Sequence, residues 1–165
     1  MYYKSKDYEK SISHYKNALT LLEELNYPYG KGLTYLGLGS AYVDSGDLKS
    51  AVPHIKNALE LGKEYENERL QTESHLAAGF AYLKHRMLKE ALEHANAALE
   101  LANKNSTTAL QSKSQLLLSQ IFQEQNEYET ALSHYREYAT LELANRDANN
   151  VKAIEALDLT KSEYE

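Results

Sequence analysis

The chain has no cysteine, no tryptophan, two prolines and seven glycines among its 165 residues. Without cysteine it can form no disulfide, no thiolate zinc site and no cysteine nucleophile. No stretch reaches the roughly 18 apolar residues that a membrane-spanning helix needs, and the first residues contain no apolar signal core. Few prolines and glycines, together with abundant Ala, Leu, Glu, Lys and Gln, predict a mostly helical protein.

The charge balance argues against two classes of partner. Lysine and arginine number 18 against 24 aspartates and glutamates, a formal net charge of −6. Broad nucleic-acid binding needs clustered positive charge that displaces phosphate counterions. We therefore expect that the protein does not bind nucleic acid. Because the chain also lacks a long apolar run, we expect a cytoplasmic protein that does not bind a membrane.

An internal repeat dominates the sequence. Four 14-residue segments align without a gap, and they begin at Tyr8, Leu48, Leu88 and Tyr128, so that the period is 40 residues. In the first copy the apolar positions follow one another at spacings of 4, 3, 4 and 3 residues, at Tyr8, Ile12, Tyr15, Leu19 and Leu22. These spacings are typical of one face of an α-helix.

A second type of helix precedes three of these segments. It has a recurring small residue and, three positions later, an aromatic residue: Gly39 and Tyr42, Gly79 and Tyr82, Ser119 and Phe122. Glycine costs about 1 kcal/mol inside a helix, so the pattern predicts that a neighbouring helix approaches closely at this position and that the aromatic ring fills the space beside it. Of the linkers that follow, only the first has strong turn chemistry, with Gly46 predicted as helix stop and Asp47 as N-cap.

These positions resemble the tetratricopeptide repeat, a helix–turn–helix unit. The second copy matches it best, at Tyr35, Leu38, Gly39, Tyr42, Gly46, Asp47, Ala51, Ile55 and Ala58. The third copy departs from it, because His75, Ala78 and Ala95 stand where larger apolar residues are usual. The resemblance implies an all-α solenoid, a right-handed superhelix of antiparallel helix pairs. It predicts an array of about 3.5 repeats over residues 1–145 and a capping or linker helix over residues 146–165.

The two ends of the repeat pattern carry further expectations. Residues 1–6 align with the end of a helix of the second type, so we expect an incomplete first repeat, a fragment of a longer protein and a possible homodimer through the half-repeat. Residues 148–165 predict a separate final helix whose inward face contains Val151, Ile154, Leu157 and Tyr164.

Four histidines, His14, His54, His94 and His134, share one position of the repeat. Neighbouring helices pack about 10 Å apart, whereas zinc ligands lie about 2.0–2.1 Å from the metal. We therefore expect half-exposed imidazoles and no metal site. No nucleophile–base arrangement and no phosphate-binding glycine loop is recognisable, so we expect no enzymatic activity and no cofactor.

The resemblance also implies where a partner binds. The first helix of each pair lines the concave surface in this family, and partners usually bind there. Carried over position by position, this surface comprises Leu36, Ser40, Val43, Asp44, Leu76, Phe80, Leu83, Lys84, Leu116, Gln120, Gln123 and Glu124.

The centre of that surface is apolar, at Leu36, Leu76, Phe80 and Leu83. Exposed apolar patches mark binding sites, unless the curvature or the C-terminal helix buries them. The Lys and Asn clamp with which the chaperone-binding subgroup holds a carboxylate is absent. We therefore expect the ligand to be an apolar helix or an extended peptide of a partner protein.

Three functions remain compatible with the sequence. The first is a scaffold for proteins or peptides, as the regulatory or sensory part of a larger bacterial signalling protein, because residues 138–157 resemble the ends of arrays that precede histidine kinases and diguanylate cyclases. The alternatives are a regulator of the peptide-pheromone receptor type and a self-assembly module.

Overall fold

The computed structural model describes the backbone of residues 2–25 and 27–162, and the side chains of residues 7–25 and 27–150. Within these residues seven helices follow one another: α1 Tyr2–Glu24, α2 Pro28–Ser45, α3 Leu48–Glu64, α4 Glu68–Lys84, α5 Leu88–Lys104, α6 Thr108–Glu124 and α7 Tyr128–Ser162. No strand occurs in the described ranges, which confirms the predicted all-α solenoid. In the same ranges, no helix combines the length and hydrophobicity needed to cross a bilayer.

The helix lengths explain the period of the sequence. Each helix from α3 to α6 has 17 residues, and three residues join it to the next one. One helix pair with its two linkers therefore occupies the 40 residues of the repeat. The observed starts of α3, α5 and α7 at Leu48, Leu88 and Tyr128 confirm the alignment of the last three segments.

Every linker after α2 contains one residue in the left-handed conformation. Gly46 has φ 89°, as predicted for a helix stop, and Glu66, Arg86, Ser106 and Asn126 have φ between 50° and 63°. The next amide then donates to a carbonyl five residues earlier, as from Asn67 to Gly62 over 2.8 Å. This is the Schellman arrangement, which satisfies the last carbonyls of a helix. The expectation that only the first linker is a strong stop was therefore too narrow, since non-glycine residues adopt the same turn.

Side-chain caps fix two helix starts. The Asp47 carboxylate accepts a hydrogen bond from the Ser50 amide over 3.0 Å, which confirms its predicted role as N-cap. The Asn67 side chain does the same for Leu70 over 2.9 Å at the start of α4. Both caps satisfy amides that have no partner inside their helix.

The contacts between helices distinguish the two faces of the array. Every helix packs on its neighbours in sequence, and α4 also contacts both α2 and α6. Among the described residues, α3 and α5 make no such contact. Helices on the inner side of a curved array are closest together, so α2, α4 and α6 form the inner wall, as the resemblance implies.

The recurring small residues mark close helix crossings, as predicted. A Cβ atom added to Gly39 would lie 2.6 Å from Cγ1 of Ile55, and one added to Gly79 would lie 2.6 Å from Cδ2 of Leu117. The Ser119 hydroxyl at the same position donates to the Ala131 carbonyl over 2.9 Å. Larger side chains at these positions would force the helices apart.

Both expectations for the ends of the array need correction. Residues 2–6 do not form the end of a separate helix, because α1 runs without a turn from Tyr2 to Glu24. The separate helix expected from Ala148 is also wrong, since α7 is continuous to Ser162. No proline or glycine interrupts either segment, and continued helix satisfies more backbone groups than a turn does. The side chains of Val151, Ile154 and Leu157 lie outside the described ones, and Tyr164 lies outside the described residues.

Candidate binding groove

A depression of about 420 Å³ lies on the inner wall. Its lining comes from α2, α4 and α6 and consists of Ser40, Val43, Asp44, Ala77, Phe80, Ala81, Leu83, Lys84 and Gln120. A second depression of about 480 Å³ adjoins it through Leu83, Lys84 and Gln120 and adds Arg86, Gln123 and Glu124. We call these two depressions together the groove.

Nine of the twelve residues predicted for the binding surface line the groove. They are Ser40, Val43, Asp44, Phe80, Leu83, Lys84, Gln120, Gln123 and Glu124. The other three, Leu36, Leu76 and Leu116, occupy equivalent positions of successive repeats and do not line it. Of the four residues predicted to form the apolar centre, only Phe80 and Leu83 therefore line the groove.

Leu76 was expected to be exposed, and this is wrong. It is 5 % exposed and belongs to the core cluster that includes Ala91 of α5 and Leu117 of α6. Four residues advance a helix by about 400°, so Leu76 is rotated by about 40° from Phe80, toward the side of α4 that packs in the core. Leu36 is half-buried against the cluster that contains Val43 and Ile55.

Phe80 is the apolar centre of the groove. Its side chain is 36 % exposed. Ala77 and Ala81 also line the groove, and because their side chains are small, the surface around the ring is recessed. The equivalent positions on α2 and α6 hold the polar residues Ser40 and Gln120. The groove thus presents one aromatic ring between two hydrogen-bonding side chains.

Ion pairs cross the rim of the groove. The Lys84 ammonium donates to the Val43 carbonyl over 2.9 Å and to the Asp44 carboxylate over 3.0 Å. Beyond α4, the Arg86 guanidinium lies 3.0 Å from the Glu124 carboxylate. Because both pairs are exposed, they add little stability. They connect α4 to α2 and α6 and leave the rim with balanced charge.

The repeated histidines contact aromatic rings rather than one another. His54 stacks on Tyr42, His94 on Tyr82 and His134 on Phe122, with ring centroids 5.3–5.5 Å apart. His54, His94 and His134 are half-buried, whereas His14 is exposed. The interpretation of these residues as partly exposed helix-surface imidazoles is confirmed for these three.

The contact between His75 and His94 was not predicted from the sequence. Nδ1 of His75 lies 2.9 Å from Nδ1 of His94. The same offset of 19 residues joins Gln115 to His134 in the next repeat, where Oε1 and Nδ1 are 2.7 Å apart. Because the offset recurs, this contact between the two types of helix is a feature of the repeat.

Burial makes the His75–His94 pair difficult to protonate. It lowers the pKa of His75 to about 4, with smaller contributions from His94 and Lys63. Burial also lowers the pKa of His94, although Glu93 raises it slightly. A hydrogen bond between the two nitrogens requires that only one of them carries a proton, and the lowered pKa values keep both rings neutral near pH 7.

The described residues offer no arrangement for catalysis through a metal. No group of three or more His, Asp or Glu side chains among them is placed to hold an ion, and His75 and His94 supply two nitrogen atoms. The chemistry that the groove does support is non-covalent: burial of an apolar side chain beside Phe80 and hydrogen bonding at its ends.

The comparison with known families agrees with the fold. The family model described as tetratricopeptide repeat matches residues 1–64 and, in an overlapping match, residues 32–104. These matches extend from α1 through α5, and α6 and α7 continue the same helical register beyond them. No curated protein matches the chain. Tetratricopeptide repeats generally mediate protein–protein interactions as non-catalytic scaffolds.

Proposed function

Because the chain belongs to the tetratricopeptide repeat family, we propose that it is a scaffold that holds an apolar helix or extended peptide of a partner protein in the groove. The exposed ring of Phe80 at the centre of the inner wall is the observation that carries this proposal. Aromatic residues at the centre of an interface commonly contribute most of the binding energy.

The groove supports a partner of limited charge. A volume of about 420 Å³ accommodates a large apolar side chain against Phe80, Val43 and Leu83. Since Lys84 and Asp44 neutralise each other at the rim, the groove has no strong preference for an acidic or a basic segment. Ser40 and Gln120 supply the polar contacts that set the position of the bound segment.

A capture experiment with matched variants tests the proposal. The intact chain, Phe80→Ala and Leu132→Ala are used as bait in an extract of the source cells. Leu132 is 49 % exposed on α7, outside the groove, and therefore controls for loss of exposed apolar surface. We expect partners retained by the intact chain and by Leu132→Ala to be lost from Phe80→Ala, with binding weakened by about 1–3 kcal/mol.

The opposite pattern would reject the groove. Partners that remain on Phe80→Ala and disappear from Leu132→Ala would assign binding to α7. Circular dichroism of each variant must first match that of the intact chain, so that a loss of binding is not a loss of fold.

The exposed face of α7 favours self-assembly as a second candidate function. Tyr128, Leu132, Tyr135 and Leu143 are all exposed on this helix. On α5, the equivalents of Leu132 and Tyr135 are Leu92 and Ala95, which pack in the core cluster together with residues of α6. A second copy of the chain would cover this face in the way a further helix covers α5. Sedimentation velocity should then show a dimer that Leu132→Ala dissociates; a monomer at all concentrations would reject this function.

A finer proposal concerns the context of the scaffold. We propose that it is the regulatory or sensory part of a larger bacterial signalling protein. The resemblance of residues 138–157 to array ends before kinases and cyclases supports this, as does α7, which has 35 residues where α4 and α6 have 17. In the full gene product, Phe80→Ala should change the activity of the linked output domain; unchanged output would contradict the proposal. Binding of a short free peptide in the groove would instead favour the pheromone-receptor alternative.

A further inference from the structure

A cavity of about 210 Å³ lies between α3, α4 and α5, on the side of α4 that faces away from the groove. Ala78 lines it, and two residues advance a helix by about 200°, which separates Ala78 from Phe80. Most of the wall is apolar and comes from Val52, Ile55 and Leu59 of α3 together with Ala78 and Tyr82 of α4. His94 of α5 lines the cavity from the opposite side.

The cavity has a clear origin in the repeat. Ala78 occupies the position at which the neighbouring repeats have Leu38 and Leu118. Those two leucines are 0 % and 1 % exposed, so each fills the corresponding space in its own repeat. At Ala78 the side chain is three carbon atoms shorter, and the outer helices α3 and α5 do not contact each other to close the gap.

Four side chains of the wall carry polar groups: Lys56, Ser74, Tyr82 and His94. The Lys56 ammonium is exposed and lies 3.7 Å from the Glu60 carboxylate. The Ser74 hydroxyl donates to the Leu70 carbonyl over 2.7 Å. Nδ1 of His94 faces Nδ1 of His75, and its ring stacks on Tyr82. Nε2 of His94 makes no hydrogen bond with the described residues, so the imidazole can offer this nitrogen to a ligand.

We propose that this cavity binds a small neutral aromatic molecule with a single hydrogen-bonding group, of about the size of phenol or indole. An apolar cavity of about 150 Å³ suffices to bind benzene, so a volume of about 210 Å³ accommodates a substituted ring. A charged ligand is disfavoured, because the apolar wall does not replace its hydration. The site is separate from the groove and functions whether or not a partner is bound there.

Phenol is the probe, with benzene as the comparison. We expect phenol to shift the methyl signals of Ala78 and Ile55 in NMR spectra of the intact chain, with intermolecular Overhauser contacts to both. Benzene, which cannot hydrogen-bond to His94, should bind at least threefold more weakly. Ala78→Leu restores the leucine of the neighbouring repeats; it should raise the melting temperature and reduce phenol affinity at least tenfold.

A second variant keeps the test valid if Ala78→Leu does not fold. Val52→Phe fills the same cavity from α3 and should also abolish binding, whereas Leu21→Ala on the exposed surface of α1 should bind phenol like the intact chain. The proposal is overturned if phenol does not bind the intact chain at millimolar concentration, or if affinity is unchanged in a folded variant with a filled cavity. Overhauser contacts to residues outside the cavity would likewise overturn it.

Discussion

Leu76 and Phe80 lie one turn apart on α4, yet Leu76 is 5 % exposed in the core and Phe80 is 36 % exposed in the groove. The boundary between core and binding surface therefore passes between two apolar residues that share a helix face. Burial, and not hydrophobicity, separates their roles.

Truncation of these two side chains should affect folding to different degrees. Leu76→Ala should lower the free energy of unfolding by about 2–5 kcal/mol, since it leaves a cavity in the core. Phe80→Ala removes a ring that is partly in water already, and should cost about 1–2 kcal/mol. Urea denaturation measures both; a larger loss for Phe80→Ala would show that Phe80 is a core residue and that the groove is misassigned.

The close crossing at Gly79 gives a second prediction. Gly79→Leu should destabilise the fold by about 1–3 kcal/mol through overpacking, because even a Cβ atom there would lie 2.6 Å from Cδ2 of Leu117. Leu117→Ala removes the obstructing side chain, so the double variant should be more stable than the sum of the two single losses implies. Strict additivity in a thermal denaturation cycle would mean that the two positions do not meet.

The left-handed linker residues give a third prediction. Ser106 has φ 50° and is exposed, and a side chain in this conformation costs about 1–2 kcal/mol. Glycine avoids that cost but loses more chain entropy on folding, so Ser106→Gly should stabilise the protein by up to about 1 kcal/mol. Gly46→Ala is the reverse control and should be destabilising. A melting temperature that falls in Ser106→Gly would contradict the role assigned to the turn.

The histidine pair gives a prediction on pH. The pKa of His75 is lowered to about 4, mainly by burial and to a smaller extent by His94 and Lys63. A histidine in the unfolded chain has a pKa of about 6.5. As the pH falls, the unfolded chain therefore binds a proton at a higher pH than the folded chain does. The contribution of His75 to the free energy of unfolding is complete above pH 6.5 and declines as the pH falls toward 4.

His75→Gln isolates this effect. Gln115 already makes the equivalent contact with His134 over 2.7 Å, so glutamine at position 75 should keep a hydrogen bond to His94 and remove one titrating group. Stability of the variant, measured by urea denaturation at several pH values, should change less between pH 6.5 and 4. An unaltered pH profile would show that His75 does not contribute to the acid sensitivity.

Most residues of the groove could be predicted because residues 40 positions apart occupy equivalent places in successive repeats. The aligned small residues identified the crossing at Gly79. Nine of the twelve residues predicted from the family resemblance line the groove, and their role in binding stays a prediction. The leucines at 36, 76 and 116 could not be predicted in this way. Their exposure depends on how residues of neighbouring helices pack around them, and the spacing of residues within one helix does not contain that information.

The sequence by itself determined the helical class, the register of the repeat and the faces that pack, because apolar spacing and small residues are local and recur every 40 residues. Only the tertiary structure decided which apolar side chains reach solvent, which histidines meet, and that Ala78 leaves a cavity between α3 and α5. Those outcomes depend on distances between side chains of different helices. Such distances are set by how each pair of helices packs at its own crossing, and two repeats of equal pattern differ there whenever one side chain differs in volume.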